Sequence, residues 1–142
     1  MSRYDLDRFV NMQIGSIDKA VKDILRGEGN INWLNYTFPK LQGLAKTEEE
    51  KQYGIVSFNE AHEYLQNSFL RQNFYKLLNA LIESKRLLKD FMNEEQLCHI
   101  HSSLTLFYIV SDIKTTSLID KVICMHFRKE LNRETIKILG KN

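Results

Sequence analysis

Apolar residues recur at three- and four-residue steps over most of the chain, and this spacing predicts α-helices. The longest such stretches run from Phe69 to Leu88 and from Glu94 to Val110. The second stretch is apolar over most of its circumference, which predicts a central helix that other helices surround. Asn93 is expected to cap it, because its side-chain oxygen can accept a hydrogen bond from a free N–H group of the first turn.

Shorter amphipathic segments predict further helices on both sides of these two. A first helix is expected from Asp5 to Gly15, and a second from Ser16 to Arg26 with Gly27 as its stop. The remaining helix starts are Thr47, the capping-box pair Ser57 and Glu60, Ser117, and Arg133 behind an Asn132 cap.

The stretch between Gly27 and Leu44 is irregular, and Pro39 is expected to end any helix that reaches it. Only the short piece from Tyr53 to Phe58 looks extended. The sequence therefore predicts an all-α fold of about six to eight helices around the helix in the C-terminal half. The 142 residues, 43% of them hydrophobic, suit one domain spanning 1–142.

Charge and cysteine content narrow the class of protein. Lys and Arg number 20 against 18 Asp and Glu, a net charge of +2, which lacks the basic excess of a nucleic-acid binder. Two cysteines, Cys98 and Cys124, do not make a disulfide framework, so the reducing cytoplasm is the expected compartment. No segment approaches the ~20 apolar residues of a membrane span, and no signal peptide is expected.

Several segments together resemble one known family. They are Asp5–Val10 with Gln13, Trp33, Phe38–Pro39, Gly43–Leu44, Tyr53 and Ile55, Glu60–Ala61, Tyr64–Leu65, Ser102–Phe107 and Thr135–Leu139. In this order they are similar to the proteins called domain of unknown function 1810. Some members carry the label calpastatin-like, which nothing in this chain supports. The resemblance implies a mainly helical fold and no established activity.

Departures from the family pattern fall on polar and aromatic motif positions. The family's Ser-His-Trp-Met-Trp corresponds here to Ile31–Asn35, and its Phe-Pro-Gln to Phe38–Lys40. Its His-Pro becomes Asn67-Ser68, and its Asp and Lys before the double serine become Gln96 and His99. The apolar scaffold alone can maintain a fold, whereas recognition of a ligand needs particular polar groups. We hypothesise that a site typical of the family is altered or lost in this chain.

Metal binding and nucleophilic catalysis are weakly indicated. Cys98 and His101 are three residues apart on a helix, but a zinc site needs about four ligands, or three with an open position. Cys124 and His126 would complete such a site only if the fold brought them close. His62-Glu63 lacks the second histidine of a zinc-protease helix. We predict no metal and no cofactor.

The residues with the best claim to a site are three hydroxyls in the central helix and the aromatic segment near Pro39. A structural role is the alternative for both groups. The hydroxyls can donate hydrogen bonds to carbonyls one turn back, and the aromatic side chains can belong to the hydrophobic core. A cleft with aromatic walls and a few polar groups is typical of small-molecule sites. The candidate ligand-binding residues are Gln13, Trp33, Tyr36, Lys40, Ser102, Ser103 and Thr105.

Two functions follow from these residues. The first is binding of a small polar or anionic metabolite, with Lys40 and Arg8 as anchors, by a domain that is an enzyme or a binding protein. The second is a protein-interaction module without chemistry that docks a partner through an exposed apolar face. Three hydroxyls pointing into a deep pocket would favour the first function. Neither a substrate nor an oligomeric state follows from the sequence.

Overall fold

The structure is a computed structural model that describes residues 4–84, 86–127 and 130–140. It confirms the predicted all-α class, with eight α-helices in these ranges. The helices are α1 Asp7–Arg26, α2 Leu34–Thr37, α3 Glu48–Gln52, α4 Phe58–Gln66, α5 Ser68–Glu83, α6 Glu94–Val110, α7 Ile113–His126 and α8 Arg133–Leu139. Two 3-10 turns, Gln42–Leu44 and Leu88–Asp90, complete the regular structure. The extended piece after Tyr53 is reduced to one bridge between Leu41 and Ile55.

Helix α6 is the central element, as its apolar circumference predicts. Ile100 and every residue from Ser102 to Phe107 are buried, and the helix packs against α2, α4, α7 and α8. Its first turn is closed by a capping box in which the Asn93 side chain binds Gln96 N–H and the Gln96 side chain binds Asn93 N–H.

The first two predicted helices are one continuous helix, α1, so the break expected at Gly15 is wrong. A glycine inside a helix costs roughly 0.5–1 kcal/mol relative to alanine. The buried stripe of α1 continues across Gly15, and that packing outweighs the cost. The stripe consists of Phe9, Gln13, Ile17, Ala20 and Ile24. The expected Asp5 cap is also absent, because Leu6 is the N-cap and makes no side-chain cap bond.

Helix α7 begins four residues before Ser117, where the sequence predicts its start. The helix begins at Ile113, because the Asp112 carboxylate accepts a hydrogen bond from Thr115 N–H at 2.8 Å. Interaction with the backbone and side chain of Thr115 lowers the pKa of Asp112, as expected for an ionised cap.

Helix α5 ends at Glu83, whereas the spacing of apolar residues predicts a helix that continues to Leu88. The Ser84 hydroxyl donates to the carbonyl of Ile24 at the end of α1, 3.0 Å away. This contact turns the chain, and Leu88 instead lies in the second 3-10 turn.

One hydrophobic core joins the helices. Four aromatic rings form its centre. Phe9 and Tyr64 lie 5.2 Å apart, Tyr64 and Phe107 5.0 Å, and Phe74 and Phe107 5.1 Å, measured between ring centroids. No helix in the described ranges is long and apolar enough to cross a membrane.

Candidate functional site

A cleft of about 590 Å³ opens between the start of α6 and the segment that runs from α2 to α3. Its volume lies within the usual range of ligand pockets. The lining residues come from α2 and the loop after it, from α3, from α6 and from the first turn of α8. They are Leu34, Asn35, Lys40, Leu44, Lys46, Thr47, Glu49, Glu50, Glu94, Glu95, Gln96, Cys98, His99, Ser102 and Glu134.

Two buried polar residues of α6 border the cleft. His99 is 7% exposed, and its Nε2 donates to the Phe38 carbonyl at 2.9 Å. Burial, together with the nearby Lys40 ammonium, lowers the pKa of His99 to about 4, so the ring is neutral at pH 7. Ser102 is 3% exposed, and its hydroxyl takes part in none of the hydrogen bonds among the described residues.

An ion pair forms one wall of the cleft. Lys40 Nζ lies 2.6 Å from Glu50 Oε1, and both side chains are largely buried. Glu50 also accepts a hydrogen bond from Lys46 N–H at 3.1 Å. Burial opposes ionisation of Glu50, but the bonds from Lys40 and from the Lys46 backbone outweigh it and hold the carboxyl pKa below its ordinary value.

The rim of the cleft carries an excess of negative charge. Glu49, Glu94, Glu95 and Glu134 are exposed at its edge. Among the residues that the structure describes, Lys46 is the one cation that lines the cleft with them once the Lys40–Glu50 pair is set aside. Glu94 and Glu95 also lie in the first turn of α6, where they offset the positive end of the helix dipole. The expected anionic ligand therefore meets an unfavourable rim.

Gln13, a candidate site residue, lies in the core and does not border the cleft. Its amide nitrogen donates to the Tyr36 carbonyl at 2.7 Å and to the Tyr64 hydroxyl at 2.8 Å. Its oxygen accepts from Asn73 Nδ2 at 3.0 Å. The side chain thus links four helices through a buried network, and burial raises the pKa of Tyr64.

Trp33 and Tyr36 are also placed away from the cleft. Trp33 is completely buried, and its indole N–H donates to the Asp23 carboxylate at 2.9 Å. The Tyr36 ring packs edge-on against Tyr53, with centroids 5.5 Å apart. Both side chains join the irregular segment to the helices around it.

The three hydroxyls of α6 have three different environments. Only Ser102 borders the cleft. Thr105 donates to the His101 carbonyl one turn back at 2.8 Å and accepts from Asn132 N–H at 2.8 Å, which ties α6 to the start of α8. The Ser103 hydroxyl is buried without a partner among the described residues.

Arg8, the second expected anchor for an anion, is engaged outside the cleft. It forms a salt bridge with Glu60 at 2.9 Å and donates to the Gln52 and Gly54 carbonyls at 2.9 and 2.8 Å. The Glu60 carboxylate also accepts from Val56 N–H at 2.8 Å, one residue before the Ser57 position that a capping box requires. Arg8 and Glu60 therefore join α1 to the segment leading into α4.

The cysteines and histidines considered for a metal are dispersed. The His101 ring stacks on Phe127 at 4.6 Å, and His126 bonds the backbone of Leu88 and Leu81. Both cysteines are free and exposed. Within residues 4–84, 86–127 and 130–140, no three His, Cys, Asp or Glu side chains are placed to hold a metal ion.

Sequence reasoning missed the carboxylates of the cleft. Glu49 and Glu50 follow the predicted Thr47 cap and belong to the acidic first turn of α3. The first turns of α6 and α8 carry the others, Glu94, Glu95 and Glu134. Acidic first turns are visible in the sequence, but α1 and α4 carry one as well, and which of them converge depends on the tertiary fold.

The fold and cleft define an all-α protein with an acidic-rimmed pocket near its central helix. The model of the family described as "Protein of unknown function (DUF1810)" matches residues 3–139, and the chain belongs to that family. The fold is similar to the crystal structure of the conserved hypothetical protein Rv1873 from Mycobacterium tuberculosis. That similarity has a TM-score of 0.90 at 24% identity, covering 98% of this chain and 99% of that one. No curated protein sequence matches the chain significantly.

Proposed function

We propose that this protein binds a small polar molecule in the cleft between α6 and the segment from α2 to α3. The observation that supports the proposal is Ser102, a residue 3% exposed at the edge of the cleft whose hydroxyl takes part in no hydrogen bond among the described residues. A helical serine usually bonds the carbonyl one turn back. Since the buried hydroxyl without a partner in the described ranges is that of Ser103, the Ser102 hydroxyl is reached from the cleft. A ligand atom in the cleft would supply the missing partner.

The departures from the family pattern support the same location. Asn35, Lys40, Gln96 and His99 all stand at positions where the chain differs from the motifs it resembles, and all four border the cleft. The apolar positions of the family pattern are kept, whereas these polar positions differ from it. We infer that the site has changed its ligand relative to other members of the family.

A thermal-shift screen tests the binding function. The panel contains metabolites of both charge signs, including nucleotides, sugar phosphates, amino acids and amines. A compound at about 100 times its dissociation constant stabilises the folded state by about 2.7 kcal/mol, which raises the melting temperature by several degrees.

The two exposed cysteines then locate the binding site. Cys98 borders the cleft and Cys124 lies on α7 outside it. A ligand in the cleft slows alkylation of Cys98 by iodoacetamide and leaves Cys124 unchanged, as read by peptide mass spectrometry. The proposal is contradicted if no compound raises the melting temperature, or if every compound that does leaves Cys98 fully reactive. The alternative of a protein-interaction module would then be tested by pull-down.

A further inference from the structure

We propose that the cleft selects an organic cation with separated positive charges, such as a diamine or oligoamine. This inference rests on the proposed function of the cleft as a small-molecule site. It concerns the chemical class of the ligand, which follows from the groups that border the cleft.

The charges around the cleft favour a cation. Counted over residues 4–84, 86–127 and 130–140, its lining contains five glutamates and two lysines. Lys40 and Glu50 neutralise each other, because their charged atoms are 2.6 Å apart, so one lysine and one glutamate do not contribute to the net charge of the cleft. Four carboxylates then face Lys46. An anion entering this cleft would be repelled by the rim, whereas a cation would be attracted to it.

A nearly buried hydroxyl at the cleft is an observation independent of the charges. Ser102 is 3% exposed, borders the cleft, and has a hydroxyl that takes part in no hydrogen bond in the described part of the chain. An ammonium group carries three donors and no acceptor, so it needs oxygen or nitrogen acceptors around it. The hydroxyl lone pairs meet that need inside the cleft, and the carboxylates meet it at the rim.

The distribution of the carboxylates favours an extended cation over a metal ion. Ca²⁺ takes six to eight oxygens at roughly 2.3–2.6 Å, so its ligands must converge on a single point. The carboxylates of the rim instead belong to α3, α6 and α8, and no group of three metal ligands forms among the described residues. A ligand with two or more ammonium groups can satisfy carboxylates that are apart from one another.

Charged thiol reagents test the sign of the potential without any ligand. Cys98 is modified by a methanethiosulfonate carrying trimethylammonium and, separately, by one carrying sulfonate. We expect the ratio of the cationic to the anionic rate to be at least several-fold higher at Cys98 than at Cys124 in the same molecule. A ratio at Cys98 equal to or below that at Cys124 overturns the inference.

Calorimetric titration with putrescine and spermidine tests the ligand class. Glu94→Gln combined with Glu95→Gln removes two rim charges, and Asp18→Asn combined with Asp120→Asn removes two exposed charges outside the cleft. Both double variants change the net charge equally. We expect at least a tenfold loss of spermidine affinity in the first and less than a twofold change in the second. Equal losses, or no spermidine binding to the unaltered protein, overturn the inference.

The two proposals fail in different ways. If a neutral or anionic compound protects Cys98 while putrescine and spermidine do not, the cleft is a ligand site and the cationic class is wrong. If no compound of any charge protects Cys98, the binding function itself is wrong. Protection of Cys98 by spermidine that is lost in the Glu94→Gln, Glu95→Gln variant supports both.

Discussion

The surroundings of Gln13 and of Ser102 show two opposite uses of a polar residue inside an apolar helix pattern. Gln13 is fully buried and has three hydrogen-bond partners from three other elements. Ser102 is nearly as buried, but its hydroxyl takes part in no hydrogen bond in the described part of the chain, and the residue borders a cleft. The satisfied group holds helices together, whereas the unsatisfied one is available to a ligand. Burial by itself therefore does not separate a structural polar residue from a binding one.

The largest expected effect comes from breaking the satisfied network. Gln13→Ala removes the partner of the Asn73 amide, the Tyr64 hydroxyl and the Tyr36 carbonyl, and an unsatisfied buried group costs roughly 1–3 kcal/mol. We expect a loss of about 3 kcal/mol in the free energy of unfolding, measured by urea denaturation. A loss below about 1 kcal/mol would show that the network does not stabilise the fold.

Acidification should weaken the fold through His99. Its pKa is about 4 in the folded protein and ordinarily about 6.5, so the unfolded chain binds a proton first as the pH falls. The stability is complete above about pH 6.5 and is lost as the pH falls towards 4, with about 2 kcal/mol gone between pH 7 and pH 5. Burial also lowers the pKa of His126, which adds a loss of the same sign.

Urea denaturation at pH 7 and pH 5 measures this dependence, with His99→Gln as the control. Glutamine cannot titrate and retains a donor for the Phe38 carbonyl. The difference between the two pH values should therefore shrink by about 2 kcal/mol in the variant. An unchanged difference would mean that His99 is not the titrating group.

An effect of similar size is expected at Trp33, the aromatic candidate that the structure places in the core. Trp33→Phe removes the indole hydrogen bond to the Asp23 carboxylate and should cost roughly 1.5–3 kcal/mol, a usual value for a bond to a charged group, and less if water reaches Asp23. Ligand affinity should stay within twofold, because the side chain does not border the cleft. A larger loss of ligand affinity in a variant that still folds would show that Trp33 belongs to the binding site.

The smallest effects on stability separate the two adjacent serines. Ser102→Ala and Ser103→Ala should each change the free energy of unfolding by less than about 1 kcal/mol, because neither hydroxyl takes part in a hydrogen bond among the described residues. Ser102→Ala should weaken ligand binding roughly three- to tenfold, the value of one hydrogen bond, while Ser103→Ala should leave it unchanged. Calorimetric titration measures the ligand affinity of both variants. Equal affinities would show that Ser102 does not contact the ligand.

The local sequence pattern is sufficient to predict most of the helices and their caps. The bounds of α6 and α8, and the caps Thr47, Asn93 and Asn132, agree with expectation because each depends on residues within one or two turns. The break expected at Gly15 is wrong. The buried residues of α1 on both sides of Gly15 pack against other helices, and this packing stabilises one continuous helix. The end of α5 was missed for the same reason, because the Ser84 contact is with Ile24, sixty residues away in sequence.

The sequence by itself determined the helical class, the central position of α6 and the family to which the chain is similar. Periodicity and caps are short-range properties of the chain, so they can be read without knowing which helices meet. Only the tertiary structure decided that Gln13 and Trp33 are bonded in the core, and that Lys40 and Ser102 border a cleft. Only it brought acidic first turns from α3, α6 and α8 to one rim. Hydrogen-bond satisfaction and local charge depend on residues distant in sequence, and folding alone brings those residues together.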